Sequence, residues 1–223
     1  MSITPVNPNK ALWEKGDFTR IAETMRESGE ALVQRIGITE GLNVLDLGCG
    51  DGTTALPAAK LGAEVLGVDI ARNLVEAGNR RAAEHGLANC TFREGDATNL
   101  QPIPDQAFDV VVSIFGAMFA PKPFDVAKEM VRVTRAGGRI VMGNWIPNDP
   151  TLVAQILRIS SAYTPPPPDG FVSPMTWGVE TLGVAASSDP VREALDKARG
   201  RLAPGSRVVI ASGWPSGESG RTS

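Results

Sequence analysis

In "NVLDLGCGDGTTALPAA", residues 43–59, the carboxylates Asp46 and Asp51 stand around Gly48 and Gly50, and Gly52 follows. A glycine-rich turn after an apolar run ordinarily offers backbone N–H groups to an anion, with a cation nearby and carboxylates kept away. This stretch carries two acids and no basic residue, a poor match for a pyrophosphate. It suits a ligand that brings hydroxyls and positive charge. Two further acids fall at comparable places, Asp69 ending "AEVLGVDI" and Asp96 in "REGDA". An ionised carboxylate accepts several hydrogen bonds, so it can take a diol or attract an ammonium group. Cys49 sits inside the turn; its small side chain reads as packing behind the glycines rather than as a nucleophile. His85, the only histidine, lies in "AAEHGL", where a cation at a helix C-terminus favours the helix dipole.

These residues need elements to carry them. The runs "NVLDLG", "AEVLGVDI", "CTFREGD", "FDVVVSIF" and "GRIVMGNW" are rich in Val, Ile and Leu and read as strands. Between them "TTALPAAKLG", "RNLVEAGNRRAAEHG" and "PFDVAKEMVRVTRAGG" read as helices, the last two closed by Gly86 and Gly137. Phe18, Ile21, Ala22, Met25, Leu32 and Ile36 recur at helical spacing, which predicts one helix before the first strand, with Asp17 as its cap. Strands alternating with helices predict an α/β fold, a Rossmann-like doubly wound, mostly parallel sheet with helices on both faces. In such sheets ligands sit beyond the carboxyl ends of the strands, at the point where strand order reverses. Asp46, Asp69, Asp96 and Ser113 all fall at those ends.

The ordered set "VLDLGCGDG", "VLGVDI", "REGDA" and "FDVVVSIFGAMF" resembles the class I S-adenosylmethionine-dependent methyltransferase family, in its small-molecule, ubiquinone/menaquinone-biosynthesis-like branch. The likeness runs from about Trp13 through Trp177. It implies S-adenosylmethionine as cofactor, a phosphate-free sulfonium nucleoside that agrees with the acids around the turn. It further implies that Gly48, Cys49, Gly50 and Gly52 pass under the cofactor, with Asp46 drawing its ammonium. Asp69 would take the ribose hydroxyls, Asp96 the adenine amino group, Ile70 and Ala97 the flanks of the adenine, and Ser113 the methionine end through its backbone. Phe115, Met118 and Phe119 follow strand four, on the acceptor side, where ordinary core packing is an equal reading. A methyl transfer of this kind leaves the reactivity to the cofactor, so no catalytic residue is assigned. The acceptor is expected to be a small molecule.

Other features bound the reading. With 42% hydrophobic residues the 223-residue chain can bury a good core, and a net charge of −3 without a dense Lys/Arg run excludes nucleic acid as the expected partner. No apolar run reaches the length of a membrane span, no secretory leader is recognisable, and two cysteines make no disulfide framework, so a cytoplasmic location is expected. No metal-ligand spacing is present. The chain divides into an N-terminal helical cap (1–40), a cofactor-binding core (41–146), a lid or substrate segment with the Pro-rich "TPPPPDGFVSPMTW" (147–187), and a divergent end (188–223). In that end "SSDPVREALDKARGRL" reads as a helix and "RVVIA" as a sixth strand, where the family usually closes its sheet with an antiparallel hairpin. An edge left open in this way makes a homodimer an expectation. Two other functions fit parts of the pattern: an NAD(P)-dependent oxidoreductase, because an acid about 20 residues past a glycine turn also suits a nicotinamide ribose, and a non-catalytic cofactor-binding or interaction protein.

Overall fold

The central predicted strands, in "NVLDLG" and "FDVVVSIF", are buried on both sides, as a sheet sandwiched between helices requires, whereas the edge strand in "CTFREGD" alternates buried and exposed. The computed structural model describes residues 9–145, 152–164, 166, 172–178 and 207–212. Its strands are β1 (Asn43–Leu47), β2 (Glu64–Asp69), β3 (Cys90–Glu94), β4 (Phe108–Ile114), β5 (Thr134–Asn144) and β6 (Arg207–Ser212). Its helices are α1 (Asn9–Trp13), α2 (Phe18–Glu23), α3 (Arg26–Arg35), α4 (Ala55–Lys60), α5 (Arg72–Glu84), α6 (Pro123–Val133) and α7 (Leu152–Ser161). One sheet in the order β3-β2-β1-β4-β5-β6 joins all six strands, and every pairing is parallel. Strand order reverses between β1 and β4, where Val44 pairs Val110 and Asp46 pairs Val112. The expected doubly wound sheet is present.

Alternation along the central strands sorts the core into two layers. Leu45, Leu47, Val111, Ile140 and Met142 pack against the buried stripe Val126, Ala127, Met130 and Val133 of α6. Val44, Val110, Val112 and Val141 pack instead with Val33 of α3, Leu56 of α4 and Val75 of α5. Each fully buried Val, Leu or Met contributes about 1.5–3 kcal/mol. Burial on both faces fixes the strand register, since a one-residue slip would exchange the layers.

Three local expectations are corrected. The single N-terminal helix is broken: α2 stops where the Thr24 hydroxyl donates to the Ile21 carbonyl (2.7 Å) and the Met25 N–H closes a tighter turn on the Ala22 carbonyl (3.0 Å), before α3 restarts. Asp17 sits at the start of α2 without a side-chain capping bond; its carboxylate accepts the Thr19 hydroxyl instead. Helix α6 ends at Val133, ahead of Gly137, because the Thr134 hydroxyl takes the Met130 carbonyl (2.6 Å) and Thr134 turns extended. "TRAGG" thereby becomes the start of β5, and the register shift between Phe108 and Val110 marks a bulge near the left-handed Gly137.

At the far end, "RVVIA" forms β6 beside β5, parallel to it. Residues 174–178 make a short 3-10 turn whose Trp177 is buried in the α6 layer. Residues 165 and 167–171 of the Pro-rich stretch and the helix read from "SSDPVREALDKARGRL" lie outside the described residues. Among the described residues no helix is long and apolar enough to cross a membrane.

Candidate functional site

The carboxyl ends of β1, β2, β3 and β4 open into one cavity, at the reversal of strand order. Its floor is the glycine turn. Gly48 and Gly50 have φ of +71° and +54°, a region that L side chains rarely adopt. Gly48 also touches the turn after β4: a Cβ there would lie 2.6 Å from the Gly116 Cα. Backbone meets backbone at this point, so both residues must be glycine for the tips of β1 and β4 to close under the cavity. Phe115, just before that contact, is itself left-handed at φ +52° and lines the cavity. Such strained residues cluster where a binding surface must be shaped.

Asp69 stands at the tip of β2, nearly buried, with both oxygens engaged: Gly50 N–H donates to Oδ2 (2.8 Å) and Ala71 N–H to Oδ1 (2.9 Å). Each carboxylate oxygen accepts more than one bond, so capacity for a ligand hydroxyl remains. Burial pushes the Asp69 carboxyl above the usual range, and these backbone donors pull it back. Asp96 Oδ1 accepts both the amide and the hydroxyl of Thr98 (2.8 Å each), a turn that presents the residue at the cavity wall beside Ala97. Ile70 and Leu74 supply an apolar wall next to Asp69.

Of the residues singled out in the sequence, Gly48, Cys49, Gly50, Asp69, Ile70, Asp96 and Ala97 line the cavity together. Asp46, Gly52 and Ser113 are not among its lining residues. Asp46 is buried behind the turn, with Oδ2 lacking any partner. Desolvation first, and the nearby Asp69 charge second, push its carboxyl up to about 7. Gly52 is required by packing: a Cβ there would meet Leu56 and Phe92 at 2.2 and 2.6 Å. The buried Ser113 hydroxyl donates to the Leu47 carbonyl (2.6 Å) and accepts the Ala117 N–H (2.9 Å), joining β1 to the loop after β4. The Cys49 thiol is buried against Gly67, and burial holds its pKa well above the ordinary value, which agrees with packing. His85 lies at the C-terminus of α5, its ring nitrogen on the Arg81 carbonyl (2.8 Å).

The expectation of a turn without counter-cation is corrected by Asp51. Its carboxylate, 1% exposed, lies 3.0 Å from Arg26 of α3 and 3.3 Å from Arg81 of α5. No local pattern announces these partners, which come from helices on either side of the turn in sequence. The cavity itself keeps its acidic character, because no Lys, Arg or His is among the described residues that line it. Trp13, Phe18 and Phe119 form the opposite wall with Phe115: Trp13 is edge-on to Phe18 (5.7 Å) and Phe119 (5.2 Å), and Trp145 stacks on Phe115 (5.8 Å) behind it. Met118 is core, Trp177 is buried, and Tyr163 is exposed.

A family profile described as a methyltransferase domain matches residues 45–142. A Mycobacterium tuberculosis (strain ATCC 25618 / H37Rv) protein named only as uncharacterised is 36% identical over 195 residues, 87% of this chain and 69% of that relative. Demethylmenaquinone methyltransferase of Geobacillus sp. (strain WCH70) is 37% identical over 115 residues, 50% of this chain and 49% of its own length. In fold, the chain is similar to the crystal structure of a SAM-dependent methyltransferase from Aquifex aeolicus, with a TM-score of 0.57 and 20% identity over 82% of this chain and 88% of that one. The residues present fit S-adenosylmethionine: a turn lining the cavity with Gly48 and Gly50 at positive φ, an acid with hydrogen-bonding capacity at the tip of β2, an orphaned buried carboxylate oxygen behind the turn, and no basic side chain among the described residues of the wall. The chain belongs to the class I S-adenosylmethionine-dependent methyltransferase family.

Proposed function

We propose that this protein transfers the methyl group of S-adenosylmethionine to a small, ring-bearing acceptor without phosphate groups. One observation carries the reading: the cavity runs from the carboxylates Asp69 and Asp96 to a wall of Trp13, Phe18, Phe115 and Phe119, with no basic side chain among the described residues that line it. Aromatic walls favour planar apolar ligands, and a phosphorylated or carboxylated acceptor would find no cation among the described lining residues. The name of the Geobacillus relative places a demethylated menaquinone as that protein's acceptor, which supports the same class here.

In this reading the backbone of Gly48, Cys49 and Gly50 lies under the cofactor, and Asp69 accepts its ribose hydroxyls. Asp96 meets the adenine amino group between Ile70 and Ala97. Asp46 acts through the turn, where the ammonium favours the ionised form of its raised carboxyl; Gly52 and Ser113 hold the turn and the β4 loop in place. S-adenosylmethionine supplies, when bound, an electrophilic methyl group on a sulfonium. Alignment and exclusion of water are then the protein's tasks, and orientation alone can supply about 7–11 kcal/mol. The acceptor brings its own nucleophile, a thiolate, phenolate or amine. The four-part division at 1–40, 41–146, 147–187 and 188–223, a cytoplasmic location, a homodimer and no nucleic-acid partner belong to the same reading.

Incubation with methyl-labelled S-adenosylmethionine tests it. Label is expected in phenols, quinols or arylamines from an acceptor pool and absent from sugar phosphates. Transfer confined to phosphorylated acceptors would overturn the acceptor class, and tight NADH binding without response to S-adenosylhomocysteine would restore the oxidoreductase.

A further inference from the structure

The glycine turn combines three residues at positive φ, Gly48, Gly50 and Gly52, so its conformation depends on what surrounds it. Two arginines converge on the one carboxylate in it. Arg81, on the core helix α5, also donates to the Asp51 backbone carbonyl (2.6 Å) and is only 15% exposed. Arg26 is 33% exposed, meets Asp51 through its carboxylate only, and lies 4.0 Å from the exposed Glu23. Burial lifts the Asp51 carboxyl, and Arg81 first, then Arg26, draw it back. One guanidinium neutralises Asp51; the second is surplus to that need.

The placement of Arg26 gives the surplus contact a use. It begins α3, next to Met25, and one turn later Gly29 comes so close to the glycine turn that a Cβ would lie 2.3 Å from the Thr53 carbonyl oxygen. Met25, Gly29 and Leu32 all line the cavity. We propose that Arg26 is a positioning residue: its ion pair with Asp51 seats the N-terminal helices on the cofactor turn, so that their side chains close the cavity over the bound cofactor. An ion pair of this kind contributes little net stability against apolar substitutes; its use here is geometric. Here Arg81 keeps Asp51 compensated when Arg26 is removed, so the turn stays folded while the helix above it loosens. This inference adds to the methyltransferase reading and is separable from it.

The test compares Arg26→Met, Arg26→Lys and Arg81→Met in the full chain. Arg26→Met is expected to weaken S-adenosylhomocysteine binding by roughly three- to thirtyfold in calorimetry, at a melting temperature close to wild type. Arg26→Lys is expected to restore most of the affinity, whereas Arg81→Met lowers the melting temperature. Amide hydrogen exchange on the cofactor-free protein supplies a readout that needs no ligand: residues 18–35 are expected to exchange faster in Arg26→Met than in wild type. Unchanged exchange there overturns the proposal whether or not the nucleoside binds, as does an affinity loss that follows the melting temperature in all three variants. Failure of wild type itself to bind S-adenosylhomocysteine counts against the site assignment, and the exchange comparison then decides the role of Arg26 alone.

Discussion

At the scale of single residues the site is a set of carboxylates whose environments differ. Asp69 is held by two backbone amides and keeps capacity for hydroxyls. Hydrogen bonds to a charged group contribute about 1.5–3 kcal/mol, so Asp69→Ala is expected to weaken S-adenosylhomocysteine binding about ten- to a hundredfold in calorimetry; unchanged affinity would remove Asp69 from the site. Asp46 is different in kind: with an orphaned oxygen and a carboxyl pushed up to about 7, it holds its proton more tightly folded than unfolded. A carboxyl of raised folded pKa contributes stability that is complete below about pH 4 and is lost as pH rises toward 7. Asp46→Asn is therefore expected to be more stable than wild type at pH 8, by up to about 4 kcal/mol, with the difference shrinking toward pH 4. Thermal melts of the cofactor-free protein at the two pH values check the sign, and an equal offset at both would refute it.

At the scale of elements, the cavity exists because the loops after β1 and β4 touch through two glycines. A Cβ on Gly116 would lie 2.5 Å from the Gly48 carbonyl oxygen. Gly116→Ala is expected to cost about 1–3 kcal/mol through overpacking and to lower S-adenosylhomocysteine affinity at least tenfold, because the backbone that yields is the cofactor floor. Denaturant melts and calorimetry read the two effects, and wild-type values in both would show the contact to be soft. The glycine turn, Asp69 and Asp96 were legible in sequence because each belongs to one short segment ending a strand. Gly116 carried a weak signal, a glycine in "SIFGAM" just past strand four. The break between α2 and α3 carried almost none: the apolar spacing continues through it, and the interruption comes from the Thr24 hydroxyl competing for a helical carbonyl.

At the scale of the whole molecule, the N-terminal helices are tied to the strand tips by contacts distant in sequence. Asn9 Nδ2 donates to the Phe119 carbonyl (2.6 Å), Lys10 pairs with Glu94, and the Arg72 amide donates to Glu14 (3.1 Å). A ligand enclosed between these helices and the sheet couples to the stability of both. S-adenosylhomocysteine at about 100 times its dissociation constant adds about 2.7 kcal/mol, which for a domain of this size is expected to raise the melting midpoint by about 5–10 °C. Scanning calorimetry with S-adenosylhomocysteine and with NADH checks this, and a rise with NADH alone would contradict the cofactor. Light scattering checks the homodimer: only monomer at high concentration would exclude it.

The amino-acid sequence by itself determined the parallel sheet, the order of its motifs and the chemistry of the cofactor, because periodicity, turn glycines and acids at strand ends are local properties of short segments. Only the tertiary structure decided that Asp46, Gly52 and Ser113 stand behind the cavity rather than in its wall, that Trp13 and Phe18 join Phe115 and Phe119 in one aromatic wall, and that Arg26 and Arg81 meet on Asp51. Direction and distance between segments remote in the chain are set by packing of the two core layers, and no residue's type or spacing encodes them alone.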